Sequence, residues 1–204
     1  LESIGSSEKD VTVVNTSDAD IVSAAGADDV TAVVAWNPQL TEIAQMPGMN
    51  MVYDSSRTPG EIIDLMVVNS DTLAANPALG KALTGAWYEI MHAMTQADEA
   101  GANVRTALAK ASGTDLAGYE RQLKTTRLFS LPADAVGFTQ SPDLMTTMKQ
   151  VAKFSFEHGL LGEGADSADF IGIAYPGGAV TGSKDNVKLR FDDTYMKMAA
   201  DGKL

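Results

Sequence analysis

The sequence predicts an α/β fold, in which helices cover a parallel β-sheet. Three observations predict it. Short apolar runs alternate with segments of helical pattern over the first 54 residues. The run DVTAVVAW (29–36) is almost continuously apolar, as in a strand buried on both faces of a parallel sheet. From residue 70 onward, amphipathic segments at helical spacing dominate the chain.

Four segments have the composition of strands. They are DVTVV (10–14), DVTAVVAW (29–36), NMVYD (50–54) and IIDLMVVN (62–69). The first three alternate with two predicted helices. This β-α-β-α-β order is typical of a parallel sheet with right-handed crossovers.

The two early helices have recognisable ends. The segment 15–26 predicts a helix that is capped by Ser17 and ends at Gly26. The next helix is predicted to have Asn37 as its cap and Pro38 as its first helical position.

The later region predicts further helices. Ser70 is predicted to cap a short helix, Pro77 and Pro142 to open two long ones, and Gly113 to separate two short ones. SADFIGIAY predicts a strand, and DDTYMKMAAD predicts a terminal helix. The change from alternating strand and helix patterns to mainly helical patterns predicts a domain boundary near residues 61–69.

Composition limits the classes of function. A net charge of −12 makes a phosphate-backbone contact unfavourable, so we expect no nucleic-acid partner. The absence of Cys excludes disulfides, thiolate metal sites and a cysteine nucleophile. Apolar runs shorter than about 18 residues predict no inserted membrane helix.

Catalytic patterns are sparse. The two histidines are His92, where an apolar helix favours a partly buried structural role, and His158, at a predicted helix end. The Gly-rich stretches lack the spacing of a phosphate or dinucleotide loop. The sequence therefore predicts no enzyme, no cofactor and no metal site.

Polar and aromatic residues follow the predicted strands, at the edge of a parallel sheet where ligands usually bind. The candidate ligand-binding residues are Trp36, Asn37, Asp54, Ser55, Ser56 and Glu61. Trp36 offers a flat apolar face and one N–H donor, but an ordinary interface tryptophan is an equal interpretation. Glu61 can pair with a cation or with N–H groups, whereas the residues alone favour a solvated surface charge.

Several extended segments carry a family resemblance. They are DVTVVNTSDADIVSA, DDVTAVVAWNPQLTEI, YDSSRTPGEIIDLMVVN, ALTGAWYEIMHAM, SFEHGLLGEGADSADFIGIAYPGG and NVKLRFDDTYMKMAADGKL. In this order they resemble the back part of periplasmic solute-binding proteins of ABC importers for nitrate, sulfonate and taurine. The most similar subgroup is that of the urea-type binding proteins associated with urea carboxylase systems. The resemblance covers essentially the whole chain.

The resemblance implies a two-lobed, type II periplasmic binding fold. Residues 1–60 would be the later part of the second lobe, 61–69 a crossover hinge strand, and 70–204 the mainly helical C-terminal region of the first lobe. It further implies an exported, periplasmic protein that delivers a solute to a membrane permease. The solute would lie in the interlobe cleft, with Trp36 as one wall.

The resemblance to this subgroup implies urea, guanidine or a related small nitrogen compound as the solute. The cost of a buried carboxylate facing an anion adds a preference for a neutral amide or a cation. Nitrate, sulfonate or taurine is the alternative. LESIG resembles the last turn of a helix ending at Gly5, which predicts an N-terminally truncated chain. Two other classes share the scaffold: an enzyme of thiamine-pyrimidine synthesis and the effector-sensing domain of a transcription regulator.

Overall fold

The structure is a computed structural model that describes residues 5–204. The helical turn expected at LESIG therefore lies mainly outside the described residues. Within this range the chain is mostly helical, with one small sheet near the C-terminus. The α-helices are α1 Ile21–Ala25, α2 Gln39–Ile43, α3 Ser70–Ala75, α4 Pro77–Thr95, α5 Glu99–Ala111, α6 Leu116–Thr125, α7 Pro132–Thr139, α8 Pro142–Glu157 and α9 Thr194–Ala200.

The sheet has three short strands: β1 Gly172–Ala174, β2 Val180–Thr181 and β3 Val187–Arg190. Their order is β2-β1-β3. The β1–β2 pair is antiparallel, with Ile173 opposite Thr181, and the β1–β3 pair is parallel. The sheet is therefore mixed, and its central strand carries the buried Ile173.

The chain divides into two compact units. The first comprises residues 1–52 and 106–126, and the second comprises 53–105 and 127–204. These divisions differ from the lobe boundaries predicted at 60/61 and 69/70, and the lobe assignment stays a prediction.

The first unit is small. Its described elements are α1 and α2, which contact one another, together with α6 and the last part of α5. Its buried apolar side chains are Ala25, Ile43 and Ala109. Three side chains of this size bury little apolar area, so the hydrophobic stabilisation available to this unit is small.

The second unit contains a larger core. Leu144 and Met148 on α8 pack with Ile173 of β1 and with Tyr175. The partly buried residues around this cluster are Ile63, Phe138, Met145, Val151, Leu189 and Phe191. The helical spacing of Leu144 and Met148, four residues apart, places both on the face of α8 that meets the core.

Tertiary contacts stabilise the positions of α4 and α7 in the second unit. Helix α9 packs against both helices. The guanidinium of Arg105 donates at 2.8 Å to the carbonyls of Met94 and Gln96, at the C-terminal end of α4. A cation at the C-terminal end of a helix supplies hydrogen bonds to its last carbonyls and complements the helix dipole.

The predicted strands at 10–14, 29–36, 50–54 and 62–69 are wrong as strand assignments. These segments run mostly in irregular backbone conformations without ladder partners among the described residues. Most of their side chains are exposed, with Val34 at 91% and Val52 at 83%, although Ile63 packs against the core cluster. A strand exists only when a neighbour accepts and donates its backbone hydrogen bonds, and these segments have no such neighbour in residues 5–204.

The helix predictions fare better. Pro77 and Pro142 open α4 and α8, and Gly113, with a φ of 73°, separates α5 from α6. The strand at SADFIGIAY and the terminal helix are also confirmed.

Three start positions were wrong by a few residues. Helix α1 starts at Ile21 rather than after Ser17, and α2 starts after Pro38. Helix α3 is capped by Asn69, whose side chain accepts from the N–H groups of Asp71 and Thr72.

Between residues 5 and 204, no helix is both long and apolar enough to span a bilayer.

Candidate functional site

An open cleft of about 560 Å³ lies entirely within the second unit. The turn before the predicted crossover segment, the chain that enters α7, and the first turns of α7 and α8 form its walls. Its lining residues are Pro59, Gly60, Arg127, Leu128, Phe129, Ala133, Asp134, Gly137, Phe138, Ser141, Asp143, Leu144 and Thr147. A volume of this size falls within the range of about 300–1,000 Å³ for sites that hold small molecules.

Two phenylalanines form the aromatic wall of the cleft. The ring centroids of Phe129 and Phe138 are 4.9 Å apart and the rings are tilted by 38°. This offset geometry is favoured by the quadrupoles of the two rings. Phe138 also packs against the core cluster, so the wall is anchored to the rest of the unit.

Arg127 stacks against this wall. Its guanidinium carbon lies 5.2 Å from the centroid of the Phe129 ring, within cation–π distance. The guanidinium is thereby attracted to the ring, while its N–H groups keep their fixed fork of donors. This orientation limits the directions from which a partner can accept hydrogen bonds.

Gly60 lines the cleft beside Phe138. Its φ is 85°, a left-handed conformation that favours glycine. A Cβ placed there would lie 3.8 Å from the Phe138 ring and 3.9 Å from Thr147. The absence of a side chain therefore keeps the space beside Phe138 open.

Two acidic residues at the starts of helices belong to the cleft lining. Asp134 lies in the first turn of α7, and Asp143 lies in the first turn of α8. Ser141 caps α8 by accepting a hydrogen bond of 3.1 Å from the N–H of Asp143. Acidic residues in a first helical turn are stabilised by the helix dipole. The cleft therefore combines one cation, two anions and an aromatic surface.

Trp36 and Asn37 belong to the first unit. The Trp36 side chain is 64% exposed, and its carbonyl accepts from the N–H of Leu40 at 2.7 Å. Asn37 accepts from the hydroxyl of Thr41 at 2.8 Å, and the Asn37–Pro38 peptide is cis. The two residues thus form a turn before α2, and their role in ligand binding stays a prediction.

Asp54, Ser55 and Ser56 belong to the second unit and are exposed. They form a 3-10 turn over Ser55–Arg57, in which Asp54 accepts from the N–H of Ser56 at 2.9 Å. Hydrogen bonds from the Ser56 side chain and backbone lower the pKa of Asp54, with a smaller contribution from Arg57. Asp54 therefore acts as a turn-stabilising acceptor.

Glu61 is exposed and follows the cleft residue Gly60 directly. Its backbone N–H donates to the carbonyl of Thr58 at 3.2 Å. None of the six predicted residues belongs to the cleft lining, although Glu61 is one residue away. Their assignment as ligand-binding residues stays a prediction.

The structure contradicts the predicted environment of His92 and confirms the predicted position of His158. His92 is exposed on α4, so the partly buried structural role is wrong, because its face of the helix points away from the core. His158 does lie at the end of α8. Its ring stacks on Phe154 with centroids 3.9 Å apart, and Nδ1 lies 2.9 Å from the Phe154 carbonyl.

The sequence interpretation missed Arg127, Phe129, Phe138, Asp134 and Asp143. The segment RLFSLPADAVGFTQSPD held a usable signal, since two prolines, each followed closely by an aspartate, predict two helix starts close together. That both starts would border one cleft depended on tertiary packing.

No group of three metal-ligating side chains occurs in the part of the chain that the structure describes. Comparisons of the chain with protein-family models, with curated proteins and with solved structures each gave no match.

Proposed function

We propose that this chain is part of a solute-binding protein of an ABC importer. It would hold a small nitrogen-containing compound, such as urea or guanidine, without changing it chemically, and present it to a membrane permease from the periplasm. The carrying observation is the cleft of about 560 Å³ beside Gly60, with an aromatic wall and charged residues at its edge.

The dimensions and lining of the cleft support binding of a small planar solute. Phe129 and Phe138 offer flat apolar faces, against which a urea or guanidinium group can stack. Asp134 and Asp143 offer carboxylate oxygens, which accept hydrogen bonds from N–H groups of the solute. Nothing in this arrangement pairs a nucleophile with a base, so a binding role fits the residues better than turnover.

The type II periplasmic binding fold is part of the same proposal. The exposed apolar segments at 29–36, 50–54 and 62–69 support it. These segments have the apolar composition of buried parallel strands but lack strand neighbours among the described residues. Their side chains include Val34, which is 91% exposed, and Ile62, which is 75% exposed. The proposed fold would cover the apolar side chains of these segments.

A thermal-shift panel tests the proposed ligand class. The chain is heated with urea, guanidine hydrochloride, nitrate or taurine at millimolar concentrations, well below denaturing levels. A ligand that binds the folded state alone stabilises it by mass action, about 2.7 kcal/mol at a concentration of 100 Kd. We expect urea or guanidine to raise the melting temperature, and nitrate and taurine to leave it unchanged.

Two variants test whether the ligand-induced rise in melting temperature comes from binding in the cleft. Phe129→Ala removes part of the aromatic wall and is expected to abolish the ligand-induced shift. Phe154→Ala is the matched control, because Phe154 is 54% exposed and lies outside the cleft. Selective stabilisation by nitrate or taurine would overturn the ligand class, and an absence of any shift would overturn the binding function.

Trp36 is tested separately. If its ring forms a wall of the ligand site, Trp36→Ala should weaken solute binding measured by calorimetry. Trp87→Ala is the control, because Trp87 is the other tryptophan and is 43% exposed on α4. Equal affinities of wild type and Trp36→Ala would remove Trp36 from the site.

A further inference from the structure

We infer that the cleft is built for a small zwitterion, a compound with a planar acidic group at one end and an N–H-rich cationic group at the other. The inference rests on the proposed function and specifies its substrate class. It depends on Arg127, Asp134 and Asp143, three charged residues that line one cleft without pairing with one another.

Arg127 is suited to an acidic group. Its guanidinium carbon lies over the Phe129 ring, 5.2 Å from the ring centroid, and this cation–π contact favours one placement of the side chain beside the cleft. A fork of parallel N–H donors matches a carboxylate and binds it through two hydrogen bonds. Because the aromatic ring covers one face of the guanidinium, less side-chain freedom remains to be lost on binding.

Asp134 and Asp143 are suited to the other end of the ligand. They come from the first turns of two different helices, α7 and α8, and both belong to the cleft lining. Two negative charges that border one cleft favour a cationic group over an anionic one at this end. A planar amidinium or guanidinium group, unlike the compact ammonium of taurine, supplies the positive charge together with N–H donors in one plane.

The absence of internal pairing distinguishes this set from a structural ion-pair cluster. Within residues 5–204, ion pairs join Lys153 to Glu157, Lys197 to Asp193 and Lys203 to Asp201, and none joins Arg127 to either cleft aspartate. The charges of the cleft residues therefore remain available to a ligand that carries the complementary pair.

The net formal charge of these three residues is −1. A simple anion would meet one cation and two carboxylates, and a simple cation would meet an opposing guanidinium. A zwitterion oriented with its acid toward Arg127 has an attractive partner at each end. Electrostatic complementarity of this kind discriminates strongly between ligands, because like charges held close together are costly.

Calorimetry with three probes tests the inference. Guanidinium chloride supplies the cationic end, sodium acetate supplies the acidic end, and guanidinoacetate supplies both. We expect guanidinoacetate to bind at least about tenfold more tightly than either single-ended probe, the effect of one added charge-assisted hydrogen-bonded contact.

Arg127→Gln should remove the advantage of guanidinoacetate, since the acid has then lost its partner, and it should leave guanidinium binding unchanged or tighter, since the opposing positive charge is gone. Arg127→Lys should retain part of the advantage, because it keeps the charge and loses the fork. Arg57→Gln is the matched control: its guanidinium also lies over an aromatic ring, 5.6 Å from the centroid of Tyr53, but outside the cleft.

The carboxylate end has its own variants. The double variant Asp134→Asn with Asp143→Asn should weaken guanidinium and guanidinoacetate and strengthen acetate. Asp185→Asn, an exposed carboxylate outside the cleft, should leave all three affinities unchanged. Circular dichroism and thermal unfolding of each variant confirm that it is folded before titration.

The outcomes separate the two proposals. If urea or guanidinium binds as tightly as guanidinoacetate, and Arg127→Gln changes nothing, the zwitterion inference is overturned and the binding function stands. If none of the solutes binds to the folded wild-type chain, both are overturned.

Discussion

Gln140 and Asp193, which are 53 residues apart in the chain, are joined by a hydrogen bond of 2.6 Å from Nε2 to Oδ2. Gln140 ends α7 and Asp193 precedes α9, so the bond ties the two packed helices together. Lys197 approaches the same carboxylate oxygen at 2.8 Å from within α9. Asp193 is 7% exposed, which makes it the most buried carboxylate among the described residues.

Replacement of Asp193 is expected to loosen this junction. Asp193→Ala removes the acceptor shared by Gln140 and Lys197, and we expect the free energy of unfolding to fall by about 1–3 kcal/mol. Asp185→Ala, which removes an exposed carboxylate, should change it by less than about 0.5 kcal/mol. Urea denaturation measures both, and equal stabilities of the two variants would contradict a structural role for Asp193.

The same residue predicts a pH dependence. Burial alone would raise the pKa of Asp193, but hydrogen bonds from Lys197 and Gln140, with the charge of Lys197, lower it below its ordinary value of 3.8. The stabilisation is therefore complete above about pH 3.8 and is lost as the pH falls through the lower folded-state value. The stability difference between wild type and Asp193→Ala should shrink only in that acidic range. A loss beginning near neutral pH would contradict the assignment.

Two glycines on α4, Gly80 and Gly85, are expected to differ in how much an alanine substitution changes the free energy of unfolding. A Cβ at Gly80 would overlap the ring of Tyr195 on α9, whereas a Cβ at Gly85 would lie 3.9 Å from Leu204, an ordinary contact. We expect Gly80→Ala to destabilise the fold by about 1–3 kcal/mol through overpacking. Gly85→Ala should be neutral or stabilising by up to about 1 kcal/mol, because alanine favours helix. Thermal unfolding measures both, and a neutral Gly80→Ala would contradict the α4–α9 contact.

The left-handed backbone conformation of Gly60 predicts that a side chain at this position destabilises the fold. Gly60→Ala places a Cβ in a left-handed conformation, so we expect a loss of about 1–2 kcal/mol in the free energy of unfolding. Gly164→Ala is the control, since its Cβ would have no heavy atom within 4 Å and its φ is not in the left-handed region. Denaturant titration compares them. Two equally stable variants would exclude a left-handed turn at residue 60.

The exposed apolar segment at 62–68 predicts rapid hydrogen exchange. None of its backbone N–H groups donates to another backbone group, whereas the N–H of Tyr175, after β1, donates to Ala179 at 2.9 Å. We expect amides 62–68 to exchange at rates close to those of an unstructured chain, and those of β1 and Tyr175 to be protected. Exchange followed by mass spectrometry of peptides tests this. Protection at 62–68 would show that the segment pairs as a strand.

The helices were largely predictable, because their signals are local. Pro77 and Pro142 mark helix starts through fixed backbone angles, and Gly113 marks a break through its left-handed conformation. Start positions such as Ser17 and Asn37 shifted by one to three residues, and neither α1 nor α2 has a side-chain cap hydrogen bond that would fix its start.

The early strands were not predictable in the same way. VTAVV has the composition of a buried strand, and composition records only the environment that a segment would prefer. Whether it becomes a strand depends on a neighbour that pairs with its backbone. The six predicted ligand residues depended on that sheet for their convergence, so their shared role remains a prediction.

The sequence by itself determined where most of the helices of this protein lie, the strand at Gly172–Ala174 and the acidic balance of the chain. These features follow from periodicity, capping and charge, which act over a few residues. Tertiary structure alone decided that Arg127, Phe129 and two aspartates border one cleft, and that Gln140 meets Asp193. Such meetings are set by the packing of whole helices against one another, which no short stretch of sequence specifies.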